Sequence, residues 1–555
     1  YFGSQFVHKT EDKGITWEII SPDLTTNDAE KLKQSESGGL TLDATGAENY
    51  CTILVIEPSP VEKDMIWVGT DDGRVHLTKN GGNNWEEVTS SIKDLPKGSW
   101  IAQIKASNKN KGEALLVAND YRRFNYKPYV YRTINYGKSW KRIVNTNDAF
   151  GYALSVIEDI ESKNLLFLGT DDGLYISLNA GEKWEKFDSK IFPTAPARDL
   201  VIHPREHDLV IGTFGRAAWV LDDIRPLREV SNDPNITSKE IHLFGPPEAY
   251  MAAYQQPTGS RFGADAIYNG ENRKRGAMIT YFFNPKKKNS EEAKKNDNIK
   301  KKLVDSIKLK IYDGERLIRT IKKKAPDKKG FYRIYWQMDE KGVERPSRRI
   351  RNIKSEPSGV TVKPGIYSLN LTYRNSISES EIKVSTDPRL NYEKEKIDQV
   401  YNNSKILESY LMTTTKAVKQ LVESKETIKT ISNHLKKYNE KKYDSIIKSS
   451  NKISKRIDEL LSLYIGKEDK RQGITRNPET TVMRRLSTAS TYVLSRKTGI
   501  SKTEITLMKH LKEELDDALV KTNSFFESEW IEFKSNVEKQ TIPIFKEVEN
   551  IKLEY

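Results

Sequence analysis

The chain has 555 residues, which is enough for about three or four domains of ordinary size. Its 92 basic and 78 acidic residues give a net charge of +14 at pH 7, but the lysines lie in short runs such as 286–288 and 300–302 and on mixed-charge helix faces. Such runs are typical of solvated surfaces, and no nucleic-acid motif accompanies them. The single cysteine, Cys51, excludes an intrachain disulfide, and no apolar run approaches the roughly 20 residues of a membrane-spanning helix.

An eight-residue phrase occurs four times in the first 190 residues. It consists of a small hydroxyl residue, then Asp or Asn, then Gly, then Trp, at constant spacing. The Asp or Asn, Gly and Trp positions are Asp12, Gly14 and Trp17; Asn80, Gly82 and Trp85; Asn135, Gly137 and Trp140; and Asn179, Gly181 and Trp184. In a tight hairpin the Asp or Asn oxygen accepts backbone N–H bonds, the glycine adopts a positive φ, and the tryptophan ring is buried. We therefore predict one structural hairpin per copy.

Each phrase lies in a segment of four short β-rich runs separated by turn residues. Three such segments are complete, at 50–88, 100–143 and 152–187, and partial ones lie at 1–20 and 197–221. Repeated units of this size predict successive blades of a β-propeller over residues 1–230. Because two units are partial, we expect an openly terminated propeller whose edges need partner strands.

The region 240–387 has the alternation of half-buried strands. Ile307, Leu309 and Ile311, for example, alternate with lysines. This period predicts an all-β domain, which we interpret as an immunoglobulin-like β-sandwich.

The tail, 391–555, changes to a helical period. Apolar residues recur every three or four positions, as at Ile453, Ile457 and Leu460, and Ser501 with Glu504 forms the capping box that begins a helix. The pattern predicts an antiparallel helical bundle. The predicted fold class is thus mainly β with an α-helical tail.

The phrases resemble the Asp-box, or BNR, repeat of sialidases, sortilin-type receptors and xyloglucanase-type glycoside hydrolases. In those families the box marks the fold, away from the binding face. The sequences of five later segments, in this order along the chain, resemble the large BNR-repeat, VPS10-like proteins common in Bacteroidota. These segments are Val201–Ile224, Arg261–Gly263, Gly276–Tyr281, Pro364–Tyr367 and Asp387–Leu390. The resemblance covers essentially the whole chain. It implies a propeller, a small β-sandwich and a helical tail, with this chain as the C-terminal portion.

Carboxylates are the candidates for catalysis, because a glycoside hydrolase needs two of them about 5–10 Å apart. The candidates are Asp71, Asp72, Asp120, Asp171, Asp172, Asp222 and Asp223. We interpret the two Asp-Asp-Gly segments as strand-to-strand turns and Asp222–Asp223 as capping or ion-pair residues. No sialidase Arg-Ile-Pro segment is found, the seven histidines are scattered, and we predict no catalytic residue, metal or cofactor.

The segment 121–129 is the best candidate for ligand binding. It combines aromatic and cationic residues in a lengthened loop, and Arg122, Arg123, Tyr126 and Tyr129 are the predicted binding residues. The alternative is that these rings pack on a neighbouring blade.

These observations predict a non-catalytic binding or scaffold protein of the bacterial envelope or surface, which uses a propeller loop face to bind a protein or glycan. The alternative is a glycoside hydrolase whose catalytic acids lie mainly in upstream blades. Tyr1 is not a methionine, so we expect a signal peptide upstream and a secreted, periplasmic or cell-surface protein. Neither a nucleic-acid partner nor a transmembrane segment is expected.

Overall fold

The computed structural model describes residues 1–33, 50–252, 270–285, 305–350, 355–438, 441–468, 479–496, 499–542 and 551. Within the chain, two compact units are formed, Tyr1–Glu240 and Ile241–Tyr555. The segment Arg261–Gly263 and the lysine runs at 286–288 and 300–302 lie outside the described residues. The predicted boundary between sandwich and helical tail falls inside the second unit and stays a prediction.

The first unit contains five antiparallel sheets in chain order, each with its strands in sequence order, as in propeller blades. Blades 2, 3 and 4 have four strands, whereas three are described in blades 1 and 5. The strands are β1 Phe2–Gly3, β2 Val7–Lys9 and β3 Glu18–Ile19 in blade 1; β4 Ile53–Pro58, β5 Ile66–Thr70, β6 Val75–Thr78 and β7 Glu86–Glu87 in blade 2; β8 Trp100–Ala106, β9 Ala114–Asp120, β10 Asn125–Thr133 and β11 Lys141–Val144 in blade 3; β12 Ala153–Glu158, β13 Leu166–Thr170, β14 Gly173–Ser177 and β15 Glu185–Lys186 in blade 4; and β16 Ala197–Ile202, β17 Leu209–Thr213 and β18 Ala218–Leu221 in blade 5.

Successive blades pack face to face through the strand that is second in each complete blade. In β5, Ile66 and Val68 pack against Val7 of blade 1, whereas Trp67 packs against blade 3. Successive side chains of a strand point to opposite faces, so a strand buried on both faces is apolar throughout. In β13, Phe167 likewise packs against blade 5 while its neighbours pack against blade 3.

The repeated phrases form hairpins with the same hydrogen bonds. The Oδ1 atom of Asp12 accepts hydrogen bonds from the backbone N–H groups of Ile15 and Thr16 at 3.0 and 2.9 Å. In the other copies the Asn side-chain oxygen accepts one such bond, from Asn84, Ser139 or Lys183, at 2.9–3.0 Å. The four box glycines have φ values of 94°, 104°, 74° and 90°. Replacing Asp by Asn therefore keeps the acceptor that spans the turn.

The later box tryptophans fill the space between blades. The indole N–H of Trp85 donates to the carbonyl of Ile20 in blade 1 at 2.9 Å, and that of Trp184 donates to the carbonyl of Ile143 in blade 3 at 3.0 Å. Trp140 packs edge-on against Trp67, with ring centroids 5.8 Å apart. Trp17 differs from the prediction of a buried ring, because 49% of it is exposed. No described blade lies on the side of blade 1 that this ring faces.

A short helix, α1 Arg225–Asn232, follows blade 5. Its Arg228 is buried and donates two hydrogen bonds of 2.7 Å to Asp159 of blade 4. Asp223 accepts a 2.5 Å hydrogen bond from Arg225, which is the ion pair expected at the end of the last blade. The helix therefore connects the last two blades at the edge where the boxes lie.

The second unit begins with three sheets, of three, five and two strands. The three-stranded and five-stranded sheets share one apolar core, so they pack face to face. The immunoglobulin-like topology itself stays a prediction. The strands are β19 Ile241–Leu243, β20 Ala249–Met251, β21 Ala277–Phe283, β22 Ser306–Asp313, β23 Arg316–Lys324, β24 Gly330–Trp336, β25 Asp339–Lys341, β26 Ser358–Thr361, β27 Gly365–Tyr373 and β28 Ser376–Thr386.

The tail is helical in the described residues, and its helices share a second apolar core. The helices are α2 Lys394–Lys436, α3 Asp444–Ile465, α4 Val482–Ser495, α5 Lys502–Glu527 and α6 Glu529–Glu538. Ser501 and Glu504 form the predicted capping box at the start of α5. None of the described helices is both long and apolar enough to cross a membrane. The antiparallel order of the predicted bundle stays a prediction.

Candidate functional site

The blade topology separates two edges of the first unit. In an antiparallel meander, the turn between the second and third strands lies at the same edge as the connection into the next blade. We call this edge the loop face; its turns in blades 2 to 5 are 71–74, 121–124, 171–172 and 214–217. The box hairpins, which join the third and fourth strands, lie at the opposite edge. The boxes are thus remote from the loop face.

The sheet register places one residue per blade at an equivalent point of the loop face. Thr70, Asn119, Thr170 and Thr213 each pair with the first residue of the neighbouring inner strand. The residues that follow them are equivalent, and they are Asp71, Asp120, Asp171 and Phe214. The repeated Asp-Asp-Gly segments therefore contribute carboxylates at matching points of blades 2 and 4, with Asp120 between them in the chain.

Most of these turn carboxylates accept hydrogen bonds that hold the loops together. Asp71 accepts a bond from the backbone N–H of Thr52 at 2.8 Å, and Asp72 accepts bonds from the backbone N–H and hydroxyl of Thr26 at 2.6 and 2.7 Å. Burial raises the pKa of Asp71 to about 6. Two of the four carboxylates in the repeated turns thus tie blade 2 to the segments that precede it.

Asp171 has a different environment. Its Oδ1 atom is buried and has no hydrogen-bond partner among the described residues. Burial raises the pKa of this carboxyl, and the negative charge of Asp172 adds to that effect. Asp172 instead accepts a 2.5 Å hydrogen bond from Lys186. Asp171 is therefore the carboxylate of the repeated turns that has a buried oxygen without a partner among the described residues.

Five side chains form a stacked cluster on the loop face: Trp100, Tyr121, Arg122, Tyr126 and Tyr152. The guanidinium carbon of Arg122 lies 3.1 Å from the ring centroid of Trp100 and 4.4 Å from that of Tyr121. Tyr121 stacks on Tyr152, with centroids 4.5 Å apart and an interplanar angle of 21°, and Tyr126 lies 6.3 Å from Tyr152. Cation–π and offset stacking contacts fix these groups against one another. The cluster joins blade 3 to the first residues of blade 4.

Exposed rings lie in the turns and connections of the same loop face. Phe124, Phe150 and Phe214 are all more than two-thirds exposed, and Arg198 lies over the Phe214 ring at 5.7 Å. Burial lowers the pKa of Arg122, and the positive charge of Arg198 contributes to the same shift. The loop face therefore combines open apolar rings with two nearby guanidinium groups.

The predicted binding residues have different positions. Arg122 belongs to the stacked cluster, Tyr126 is exposed at its edge, and Arg123 donates a 2.6 Å hydrogen bond to Asp120. Tyr129 was predicted to be available on the loop, but it is only 4% exposed and packs in the core between blades 2 and 3. Its side chain points inward because β10 already pairs with Ala118 at this residue.

The sequence prediction did not single out Trp100, Tyr152, Arg198 or Phe214. These residues are spread between positions 100 and 214 of the chain, and only the packing of successive blades brings their loops to one face. Aligning the blade sequences by their Asp-boxes could have identified one of these residues, Tyr152. Tyr152 directly precedes the inner strand of its blade, as Thr52 does in blade 2, and both carbonyls accept the N–H of the equivalent aspartate.

The comparisons with known proteins concern mainly the propeller. The family model described as Sortilin-Vps10, "Sortilin, neurotensin receptor 3", matches residues 128–233. Together with the blades, this match supports a Vps10- or BNR-like propeller for the first unit. The comparison with curated proteins gives no match.

Similar solved structures include two GH74 enzymes and a YCF48 complex, all at low sequence identity. An ancestral GH74 enzyme is 15% identical with a TM-score of 0.27, covering 51% of this chain and 34% of that one. The GH74 xyloglucanase from Xanthomonas campestris is 14% identical with a TM-score of 0.28, covering 39% and 33%. YCF48 bound to D1 peptide is 16% identical with a TM-score of 0.25, covering 40% and 63%. The chain thus spans about a third of the length of the GH74 enzymes.

Proposed function

We propose that this chain is a non-catalytic binding or scaffold protein whose loop face binds a protein or glycan. The observation that carries the proposal is the stacked cluster together with the exposed phenylalanine rings on the same loop face. The sequence resemblance to VPS10-like proteins of Bacteroidota adds a setting in the bacterial envelope or at the cell surface, reached by export. The β-sandwich and the helical tail are then supporting or partner-docking parts.

The composition of the loop face favours recognition. Aromatic residues and arginine are the side chains that most often dominate binding energy at protein interfaces. Among the described residues, no carboxylate lies within salt-bridge distance of Arg122 or Arg198, so both guanidinium groups remain available to an acidic group of a ligand. Rings held by stacking lose little further conformational entropy when a ligand binds.

The stacking and exposure of the aromatic rings favour a protein partner over a glycan. Trp100, Tyr121 and Tyr152 already stack on one another or on Arg122, so they offer less open ring surface to a sugar. The rings that are most open belong to Phe124, Phe150 and Phe214, which have no hydroxyl groups to bond to a carbohydrate. Apolar side chains of a protein fit such rings directly.

A glycoside hydrolase remains the alternative, and one observation favours it. Asp71 and Asp171 both have raised pKa values because they are buried, as a general acid requires. Against this, Asp71 is engaged by Thr52, and hydrolysis needs a second carboxylate about 5–10 Å away across the sugar. The hydrogen bonds of the Asp-Asp-Gly turns fit a structural role.

The proposal is tested by measuring binding of wild-type protein and a Phe124→Ala/Phe214→Ala variant to envelope proteins and to a glycan array. We expect the double variant to lose about tenfold or more in affinity for the ligand found, since two exposed aromatic anchors are removed. Ile134→Ala is the matched control, because Ile134 is 71% exposed, close to Phe214 at 69%, but lies in the box hairpin at the opposite edge. Equal losses in both variants, or none in either, would contradict a binding role for the loop face.

Hydrolytic activity is assayed on the same preparations. We expect no turnover of aryl glycosides or polysaccharides by this chain. Turnover that disappears in Asp71→Asn or Asp171→Asn, with melting temperature unchanged, would favour the glycoside hydrolase.

A further inference from the structure

A cleft lies between the β-sheets and the helical tail of the second unit. Its volume is about 600 Å³ with the open mouth included, which is in the range of small-molecule sites. One wall consists of Met251 of β20 and residues 360–362 at the end of β26. The other wall consists of residues between 397 and 404 in the first turns of α2, together with Leu494 of α4. The cleft lies wholly within the second unit, so it is independent of the loop face.

The walls of this cleft are mainly apolar. Met251 packs at the edge of the core between the sheets and Val400 at the edge of the helical core, and both are only half-buried. Leu494 also lines the cleft and is 47% exposed. An apolar group that fills the cleft therefore removes the open surface of these side chains from water as well as its own, and this burial favours binding.

Polar contacts fix the two walls relative to each other. The hydroxyl of Tyr401, on α2, donates a 2.6 Å hydrogen bond to the carboxylate of Glu340, on β25, and the ammonium of Lys405 lies 3.2 Å from the same carboxylate. Lys363 forms an ion pair with Asp398 of α2 at 3.0 Å. Glu340 is buried, so removing its partners would be strongly destabilising. The cleft is therefore built between elements that are held in place.

Positive charge exceeds negative charge along the cleft. The guanidinium of Arg496, just after α4, lines the cleft and donates through Nε to Glu504 at 3.0 Å. Glu504 is fully buried in the capping box of α5, so it orients this guanidinium. Lys394 lines the adjoining part of the cleft and has no ion-pair partner among the described residues. Among the described residues that line both parts, Asp398 is the one carboxylate, and Lys363 neutralises it.

We propose that this cleft binds a small amphiphilic carboxylate, with its alkyl chain between Met251 and Val400 and its acid group beside Arg496. Arginine suits a carboxylate because its planar guanidinium offers several N–H donors in a fixed geometry, and such charge-assisted hydrogen bonds are stronger than neutral ones. A neutral ligand would gain nothing from the positive charge of Arg496 and Lys394, and a cation would be repelled by it. The charge of the ligand is therefore the feature that the site selects.

Isothermal titration calorimetry of the full chain with octanoate, octanol and octyltrimethylammonium tests this proposal. The three probes share one alkyl chain and differ in charge. We expect octanoate to bind saturably at one site per chain. Octanol and octyltrimethylammonium should bind about tenfold or more weakly, because neither forms a charge-assisted hydrogen bond with Arg496.

Two pairs of variants locate the site. Arg496→Gln should weaken octanoate binding about fivefold or more and leave octanol binding unchanged. Arg456→Gln is its matched control, because Arg456 also pairs with a carboxylate through Nε, at 3.2 Å, and its side chain is 39% exposed against 44% for Arg496. Val400→Phe should abolish octanoate binding because its ring fills the cleft, and Val520→Phe, at a position on α5 that is 67% exposed, is its control.

Circular dichroism and melting temperature establish that each variant is folded. If Val400→Phe fails to fold, the three probes and the two arginine variants still decide the result. Octanoate that shows no saturable binding to the wild type would overturn the proposal. So would octanol that binds as tightly as octanoate, or equal effects of Arg496→Gln and Arg456→Gln.

Discussion

The box tryptophans have unequal surroundings although the residues around each are alike. Trp140 and Trp184 are buried against the preceding blade, Trp85 is partly buried and bonds to Ile20, and Trp17 is half-exposed. The ring contributes to stability only where another blade covers it, because the hydrophobic free energy scales with the area removed from water. The same motif thus has different energetic weight in different copies.

Substituting alanine for each box tryptophan measures how much its ring contributes to the free energy of unfolding. We expect Trp85→Ala, Trp140→Ala and Trp184→Ala each to lower the free energy of unfolding by about 3–5 kcal/mol, as for other buried aromatics. Trp17→Ala is the internal control and should cost clearly less. Urea unfolding followed by circular dichroism gives the comparison. Unchanged stability in the variants of Trp85, Trp140 and Trp184 would show that these rings do not support the blades.

Because the carboxyl of Asp71 is buried, we expect the free energy of unfolding to depend on pH. Its pKa in the folded protein is raised to about 6 by burial, so the folded state favours the protonated form and loses stability as pH rises through this value. Asp71→Asn keeps an acceptor for Thr52 but cannot ionise. We expect its stability relative to wild type to improve by roughly 1–2 kcal/mol between pH 4 and pH 7. A constant difference over this range in thermal unfolding would contradict the buried-carboxyl argument.

At the scale of elements, the boxes connect neighbouring blades as well as closing hairpins. A Cβ atom on Gly82 would lie 2.4 Å from the carbonyl oxygen of Ile20, so this glycine is required by close approach as well as by its positive φ. The indole of Trp85 donates to that same carbonyl. The turn, the glycine and the ring therefore form one contact between blade 2 and blade 1.

We expect the helical tail to fold by itself. Helices α2 to α5 contribute apolar residues to one core, including Leu421, Ile457, Leu486 and Leu511. A polypeptide of residues 391–555 should therefore give a strongly helical circular dichroism spectrum and a cooperative thermal transition. Contacts of Tyr401 and Lys405 with Glu340 outside this segment would be lost, so its melting temperature should be lower than in the whole chain. A disordered spectrum would show that the helices need the β-sheets to form.

At the scale of the whole molecule, local sequence patterns predict the repeated hairpins, strands and helices. They do not predict which side chains are exposed at the surface. The turn chemistry of the boxes, the apolar runs of strands such as β5 and β13 and the capping box of α5 depend on neighbours within a few residues, so the sequence alone predicts them. The exposure of Tyr129 could not be predicted in this way, because the register of β10 on β9 decides which face its ring occupies.

The sequence by itself determined that residues 1–221 contain blades and that the tail is helical, because hydrophobic periodicity and turn residues act locally along the chain. Only the tertiary structure decided which rings are open and which are stacked, since Trp100, Arg122 and Tyr152 meet through the packing of separate loops. It also decided that the ring of Tyr129 is buried whereas that of Tyr126 is exposed, because burial depends on which blade packs against each face of a strand.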